Sequence, residues 1–286
     1  MISKSEIESL IYLLDDPDPF VQSEVKGRLF ELGEQVVPLL DQHKSEEADP
    51  QNRDLINGII QKITYSSIEE GFTDVLANGF SNMKQLEDAV FILARFDDPT
   101  LRISEYRHQL DQYAARIKSD LRYALSATEK LHRLLDLVFV DLGFKGGLKN
   151  YYQPDNAHLH KVIDNRSGLP ISLALVVLFL ARRLDIPFRG MQMPVHFMLM
   201  YESEQEKLFV DPFDRGKIIN YNQCYYFLKQ NGIEPKSKHF QPADESTILA
   251  RYTRNLIRSY RKKGQEKNAV SLTKLLQTVE MMSFHR

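Results

Sequence analysis

Two chemically competent side chains, His196 and Asp211, lie in neighbouring apolar segments of Gly190–Phe213. Both segments alternate like β-strands, and a short polar turn about Ser203 and Glu204 separates them. A hairpin centred on that turn places His196 opposite Asp211, with Cβ atoms roughly 5 Å apart. A carboxylate in that position fixes the tautomer of an imidazole and raises its basicity. The spacing therefore predicts two members of a catalytic triad.

Two side chains could act as a nucleophile for this pair. Ser172 falls in the first turn of a predicted helix, where a hydroxyl can also simply satisfy an unpaired backbone N–H. Cys224 is the only cysteine, and the aromatic residues that follow it indicate a small buried side chain. If the pair is catalytic, His196 is the base, Asp211 is the carboxylate that orients it, and Ser172 is the candidate nucleophile. The preferred interpretation is a structural His–Asp pair that satisfies buried polar groups.

A metal site is a further alternative for the same region. His158 and His160 could join His196 and Asp211 as ligands, but His-x-His spacing suits a strand better than the helix predicted there. A single cysteine excludes a Cys-rich metal cluster and an intrachain disulfide. We therefore expect neither a metal nor a cofactor.

The elements that must position these residues are mainly helical. Pro170–Leu184 is apolar on nearly every face, which predicts a central buried helix with proline well placed in its first turn. A short strand is predicted at Ile218–Asn220. Apolar periodicity predicts further helices over Ser3 or Ser5 to Leu14, Val21–Leu32, Pro50–Ile63, Leu86–Ala94, Ile103–Leu121, Ala127–Val140 with Thr128 as cap, His158–Asn165, Tyr221–Asn231, Glu245–Tyr260 and Gln265–Glu280.

A polar, turn-rich loop leads into the central helix and is a second candidate site. Asn150, Tyr151, Asn156 and Arg166 lie in or just after this loop. Polar loops carry binding residues more often than cores do, so we predict that these four contact a ligand or partner. Turn and cap chemistry is the alternative explanation of the same residue types.

Charge and hydropathy limit the classes of partner. The 286-residue chain has a formal net charge of −2, which argues against a nucleic-acid surface. The basic cluster Arg254–Lys263 lies in a predicted helix and is typical of a solvated face. The longest apolar run is too short to span a bilayer, and the first twenty residues lack a signal-peptide core. We expect a cytoplasmic protein that binds protein or peptide, not nucleic acid or membrane.

Five short motifs lie around the candidate site. They are N-x-x-L-x-x-V at Asn156–Val162, R-x-G-x-P-I-S-L at Arg166–Leu173, A-R-R-L-x-I-P at Ala181–Pro187, P-x-H-F at Pro194–Phe197 and D-P-F-x-x-G at Asp211–Gly216. In combination these motifs resemble the SirB family of transglutaminase-like, papain-related proteins, over roughly residues 80–260. In addition, Leu249–Tyr260 resembles the first helix of a tetratricopeptide-like tail, and residues 1–64 resemble a HEAT-type helical repeat.

The resemblance implies a predominantly helical α+β fold, with a small antiparallel sheet packed on the central helix. It implies three parts: a HEAT-like cap over 1–65, a transglutaminase-like core over 66–240 and a tetratricopeptide-like tail over 241–286.

The resemblance also identifies His196 and Asp211 with the family's His and Asp. Its cysteine position falls between Pro170 and Ser172, at a register that stays open, and the chain has no cysteine there. The preferred interpretation is a non-catalytic protein-interaction or regulatory module. The alternative is a hydrolase or acyltransferase that acts on amide or peptide bonds, with Ser172 or water as nucleophile.

Overall fold

The computed structural model describes residues 4–77, 80–122, 126–203 and 207–284. The chain forms two compact units. The first comprises the chain up to Asp74 together with Arg95–Leu101, and the second comprises Val75–Ala94 and the chain from Arg102 onward.

The first unit is built from helices that share one apolar core. The Asp18 side chain accepts the N–H of Phe20 and caps the second helix, whose proline occupies the first turn. The core includes Ile7, Val25 and Leu29. The helices are α1 (Lys4–Tyr12), α2 (Pro19–Leu32), α3 (Val37–Glu46) and α4 (Pro50–Ala77), of which α4 continues beyond this unit.

Two boundaries predicted in this region are wrong. Helix α4 continues to Ala77 and does not end at Ile63, because no proline or helix-ending glycine follows that position. Ser5 lies inside α1 and therefore does not cap it, and the alternative cap Ser3 falls outside the described residues.

The second unit surrounds the central helix that the sequence predicts. Every residue from Pro170 to Ala181 is buried in this helix, which contacts neighbouring helices and the sheet. The helices are α5 (Met83–Ala94), α6 (Ile103–Lys118), α7 (Ala127–Asp136), α8 (Leu159–Asn165), α9 (Pro170–Arg183), α10 (Tyr221–Gln230), α11 (Glu245–Lys262) and α12 (Glu266–Phe284). The cap of α7 is Ser126, in a capping box with Glu129, and not the predicted Thr128.

The strands form two sheets in the described chain. A parallel pair joins β1 (Lys145–Gly146) to β2 (Ser167–Gly168). A five-stranded antiparallel sheet has the order β6-β5-β4-β3-β7. Its strands are β3 (Phe188–Met191), β4 (Met198–Glu202), β5 (Lys207–Asp211), β6 (Lys217–Ile219) and β7 (Pro242–Ala243).

The register of the β4–β5 hairpin differs from the prediction by two residues. A turn centred on Ser203 and Glu204 pairs Val210 with Phe197, whereas the structure pairs Val210 with Leu199. A shift of two preserves the face of each side chain, because the period of a strand is two. Glu204 lies outside the described residues.

The predicted fold class is confirmed: the chain is predominantly helical, with a small antiparallel sheet that contacts α9 through β3 and β4. None of the described helices combines the length and apolar character needed to cross a bilayer.

Candidate functional site

The centre of the candidate site is a hydrogen bond between His196 and Asp211. The His196 Nε2 atom lies 2.7 Å from Asp211 Oδ1, and both side chains are about four-fifths buried, with 18% and 19% of their area exposed. The Nδ1 atom of His196 makes no hydrogen bond to any residue in the described part of the chain. An ionised carboxylate at Nε2 keeps the proton there, so the lone pair on Nδ1 is available as a base.

Backbone strain next to His196 directs its side chain. His196 precedes β4, and its N–H donates to the Pro194 carbonyl at 2.7 Å, across Val195 with a φ of +66°. That arrangement is a γ-turn of the strained type, which is rare for a β-branched residue. Such strain costs about 1–3 kcal/mol and clusters at functional sites. The turn replaces the extended strand that the sequence predicts at His196.

A tight turn after β5 holds the other half of the pair. Asp211 Oδ1 also accepts the N–H groups of Phe213, at 2.8 Å, and Asp214, at 3.2 Å. Burial by itself raises the pKa of Asp211, but the His196 hydrogen bond and these two N–H groups outweigh it and leave the pKa below its ordinary value. Asp211 is therefore ionised at neutral pH.

Aromatic rings surround the pair on two sides. The rings of Phe213 and Phe227 lie 6.1 and 5.8 Å from the His196 ring, centroid to centroid. Phe213 also contacts Tyr151 at 5.8 Å, and Tyr151 contacts Tyr152 at 4.9 Å. The structure thus brings Tyr151, from the predicted contact loop, to the neighbourhood of His196 and Asp211.

The predicted nucleophile occupies a different environment. The Ser172 hydroxyl donates to the Ala157 carbonyl at 2.7 Å, and the residue is fully buried. The hydroxyl thus satisfies a backbone carbonyl rather than the backbone N–H considered from the sequence. No hydrogen bond joins Ser172 to His196 within the described residues. Pro170, the other residue at the cysteine position, is also buried in the first turn of α9.

Cys224 lies in the core beneath the sheet. It is fully buried among four methionines and three other apolar side chains. Burial, reinforced by the charge of Asp211, raises the pKa of the Cys224 thiol to about 11. A thiol in this state is a poor nucleophile at neutral pH. The methionines are Met191, Met193, Met198 and Met200.

The remaining predicted contact residues mostly maintain the loop. Asn156 Nδ2 donates to the Asn150 carbonyl at 3.0 Å, while Asn150 itself is exposed with a φ of +55°. The Arg166 guanidinium lies 4.8 Å from the ring centroids of both Tyr113 and Phe144. Among these residues Tyr151 reaches the aromatic cluster next to the pair.

The two other histidines of the metal alternative are in the core. His158 Nε2 lies 2.7 Å from the Tyr260 hydroxyl, and the His160 ring contacts Tyr106 edge-on. The described residues contain no group of three or more His, Cys, Asp or Glu side chains arranged to hold a metal ion.

Comparison with known proteins identifies the family of this chain. The sequence profile of the transglutaminase-like superfamily matches residues 104–254, more than half of the chain. The chain belongs to the transglutaminase-like superfamily. No solved structure gives a significant match.

Relatives of this transglutaminase-like chain include bacterial and mammalian proteins. A UPF0162 protein of Xylella fastidiosa is 29% identical over 177 residues, which cover 60% of this chain and 63% of that protein. F-box only protein 21 of Homo sapiens is 27% identical over 179 residues, 58% of this chain and 28% of that protein. A UPF0162 protein of Haemophilus influenzae is 31% identical over 127 residues, 43% and 47% respectively. The chain spans less than two thirds of the length of these relatives.

Three residues near the candidate site were not predicted. Phe213 links His196 to Tyr151, and Val195 carries the strained turn. Arg251 lies with its guanidinium 5.1 Å from the Phe197 ring centroid and donates to the Met193 carbonyl. Burial lowers the pKa of Arg251 to about 10, with Tyr151 opposing and Arg254 adding to the shift. Val195 lies in the motif P-x-H-F next to His196, and Phe213 lies in the motif D-P-F-x-x-G close to Asp211. This proximity in sequence was the signal that could have identified both residues.

Proposed function

We propose that this chain is a non-catalytic transglutaminase-like module that binds protein or peptide. The observation that carries the proposal is the state of Ser172: its hydroxyl is fully buried and committed to the Ala157 carbonyl, 2.7 Å away. A nucleophile must reach both its base and the substrate, and this hydroxyl is engaged elsewhere. The chain has no cysteine between Pro170 and Ser172.

Cys224 supports the same conclusion. Activation of a thiol requires a lowered pKa, whereas burial and the neighbouring Asp211 raise that of Cys224. The His196–Asp211 pair then serves to fix the Val195 turn and the end of β5. This role satisfies two part-buried polar side chains with one charge-assisted hydrogen bond.

The surface next to the pair supports a binding role. Leu148 exposes 80% of its area beside a cleft of about 350 Å³ that is lined by Phe213 and by Lys145 and Arg215. Exposed Asn150 and part-buried Tyr151 lie in the same loop, and we propose that they contact the partner while Asn156 and Arg166 hold the loop.

Membership of the SirB family and the two flanking repeat types are part of this proposal. The motifs that resemble the SirB family, the HEAT-like segment over 1–65 and the tetratricopeptide-like helices over 241–286 support a core flanked by protein-binding helices. The name of the human relative marks it as an F-box protein, which is compatible with a role in protein interaction. A cytoplasmic location is part of the same proposal.

The catalytic half of the proposal is tested with a fluorophosphonate probe, which phosphonylates the hydroxyl of an activated serine and releases fluoride. We expect no labelling of the wild-type chain and none of Ser172→Ala. Labelling of the wild type that disappears in both Ser172→Ala and His196→Ala would establish an enzyme instead.

The binding half is tested with a peptide library displayed on phage and selected against the wild-type protein. We expect the enriched peptides to lose affinity for Leu148→Asp, because the substitution places a charge on the exposed apolar contact. Val270→Asp, at an exposed position of α12, is the matched control and should bind normally. Equal binding by both variants would contradict the assignment of this face.

The second candidate function is a hydrolase that uses water as the nucleophile. It is favoured by one observation, the 2.7 Å His196–Asp211 bond with Nδ1 of His196 free of any described partner. Hydrolysis of a fluorogenic peptide library at a rate that falls at least about 100-fold in His196→Ala would support this function over the binding role.

A further inference from the structure

A groove between α11 and α12 concentrates positive charge over an apolar floor. The helices pack as a hairpin joined at Gly264, whose φ is +76°. The groove has a volume of about 610 Å³, and Ile257 and Leu276 form its apolar floor. Arg254, Arg258, Arg261 and Lys262 line it from α11. This local charge contrasts with the net charge of −2 for the whole chain.

Two of the four cations are compensated and two are not. Arg254 pairs with Glu280, and Arg261 lies 3.4 Å from Glu266. Within the described residues, no carboxylate lies within ion-pair distance of Arg258 or Lys262. The groove therefore has unbalanced positive charge at Arg258 and Lys262.

The position of Arg258 is fixed by an aromatic ring. Its guanidinium lies 4.4 Å from the ring centroid of Tyr152, a cation–π contact, and Arg258 also lines the groove. Holding a long cationic side chain in place reduces the entropy that a ligand must overcome. Arg258 and Lys262 are one helical turn apart, about 6 Å along α11.

We propose that this groove binds an acidic peptide segment of a partner protein, with one apolar anchor on Ile257 and Leu276 and flanking carboxylates on Arg258 and Lys262. This inference rests on the proposed protein-binding function and names the chemistry of one partner segment. Carboxylates match both the charge and the spacing of the two cations, and an aliphatic side chain fits the floor.

Nucleic acid fits the groove less well. None of its lining side chains is aromatic, so it offers no platform for base stacking. The chain as a whole is acidic, which opposes the approach of a polyanion. A short acidic segment needs only the local charge of the groove.

The test uses a fluorescein-labelled synthetic peptide of sequence DEELDELLEE and fluorescence anisotropy with the full chain. We expect Arg258→Glu/Lys262→Glu to weaken binding at least about tenfold, because each reversal replaces an attraction by a repulsion. The matched control is Lys267→Glu/Lys274→Glu, which makes the same charge change on exposed positions of α12 outside the groove lining. Binding by the control should stay within about twofold of the wild type.

Two further binding measurements check the folding of the double variant and the contribution of the apolar anchor. Lys262→Glu alone alters an exposed position and should still weaken binding severalfold, which guards against a folding defect in the double variant. A peptide with its leucines replaced by serine should bind at least about tenfold more weakly, because it lacks the apolar anchor.

Three results would overturn the proposal: equal affinities of the double variant and its control, tighter binding of a labelled poly-dT oligonucleotide than of the peptide, or preferential binding of phosphatidylserine vesicles. None of them bears on the fluorophosphonate experiment or on the Leu148→Asp variant, so failure here is distinguishable from failure of the proposed function.

Discussion

The two halves of the candidate site differ in how their polar groups are used. At the edge of the sheet, His196 and Asp211 bond to each other and remain partly exposed. At the start of α9, Ser172 is fully buried and bonds to the backbone. The His196–Asp211 pair keeps a geometry that proton transfer could use, whereas Ser172 contributes only to packing.

This difference shows why a His–Asp pair is weak evidence for catalysis. The pair depends on two adjacent turns, each stabilised by its own backbone hydrogen bonds, so it can persist without a nucleophile. The nucleophile depends on the first turn of a buried helix, where proline and a buried hydroxyl are both favourable for folding. The stability of the fold alone can therefore preserve the His196–Asp211 pair in a chain that has no nucleophile.

The test with the largest expected effect asks whether Cys224, in the core next to the sheet, could act as a nucleophile in place of Ser172. We expect iodoacetamide at pH 8 to modify Cys224 at least about 100-fold more slowly in the folded chain than in urea, because the thiol is buried and its pKa is raised to about 11. Mass spectrometry gives the rate, and Lys267→Cys in a Cys224→Ala background provides an exposed control. Fast modification of Cys224 in the folded wild type that is lost in His196→Ala would mean that His196 activates Cys224 as a nucleophile.

The second test asks whether Ser172 is structural. We expect Ser172→Ala to lower the free energy of unfolding by about 1–3 kcal/mol, because it leaves the buried Ala157 carbonyl without this donor. The control is Ser259→Ala, since the Ser259 hydroxyl is equally buried but has no hydrogen-bond partner among the described residues. Urea denaturation measures both, and equal effects would remove the distinction between the two serines.

The third test concerns Asp211 and pH. We expect Asp211→Asn to cost about 1–2 kcal/mol at pH 7, because the ionised acceptor of His196 and two N–H groups is lost. Asp214→Asn, at an exposed position, should change stability by less than about 0.5 kcal/mol.

The lowered pKa of Asp211 sets the direction of the pH dependence. Its stabilising contribution is complete above the unfolded-state pKa of about 3.9 and is lost as the pH falls through the lower folded-state pKa. The stability difference between wild type and Asp211→Asn should therefore shrink below about pH 4. A difference that grew on acidification would contradict the lowered pKa.

The smallest expected effect concerns the strain beside His196. Val195 is exposed at 61% and has a φ of +66°, so Val195→Gly should stabilise the chain by about 0.5–1 kcal/mol through relief of strain. Val140→Gly is the control, because Val140 is similarly exposed in a helical turn and should be destabilised by about 1 kcal/mol. Thermal denaturation distinguishes the two signs.

Much of the fold could be predicted from local pattern, and the reasons for the exceptions are physical. Helix α9 and strands β4 to β6 followed from apolar runs and turn residues, because those signals are local. The end of α4 was missed because no local signal at Thr64 distinguishes continuation of a helix from its termination. The cap of α7 was missed although Ser126 and Glu129 have the S-x-x-E spacing of a capping box, which is a local signal.

The sequence by itself determined which residues are available to the site: His196 and Asp211 in neighbouring apolar segments, and no cysteine between Pro170 and Ser172. Only the tertiary structure decided how they are used. The γ-turn at Val195 and the turn after Asp211 bring the pair together, while the packing of α9 against the Ala157 carbonyl buries Ser172. These outcomes depend on contacts between segments that are distant in sequence, and periodicity within one segment contains no information about them.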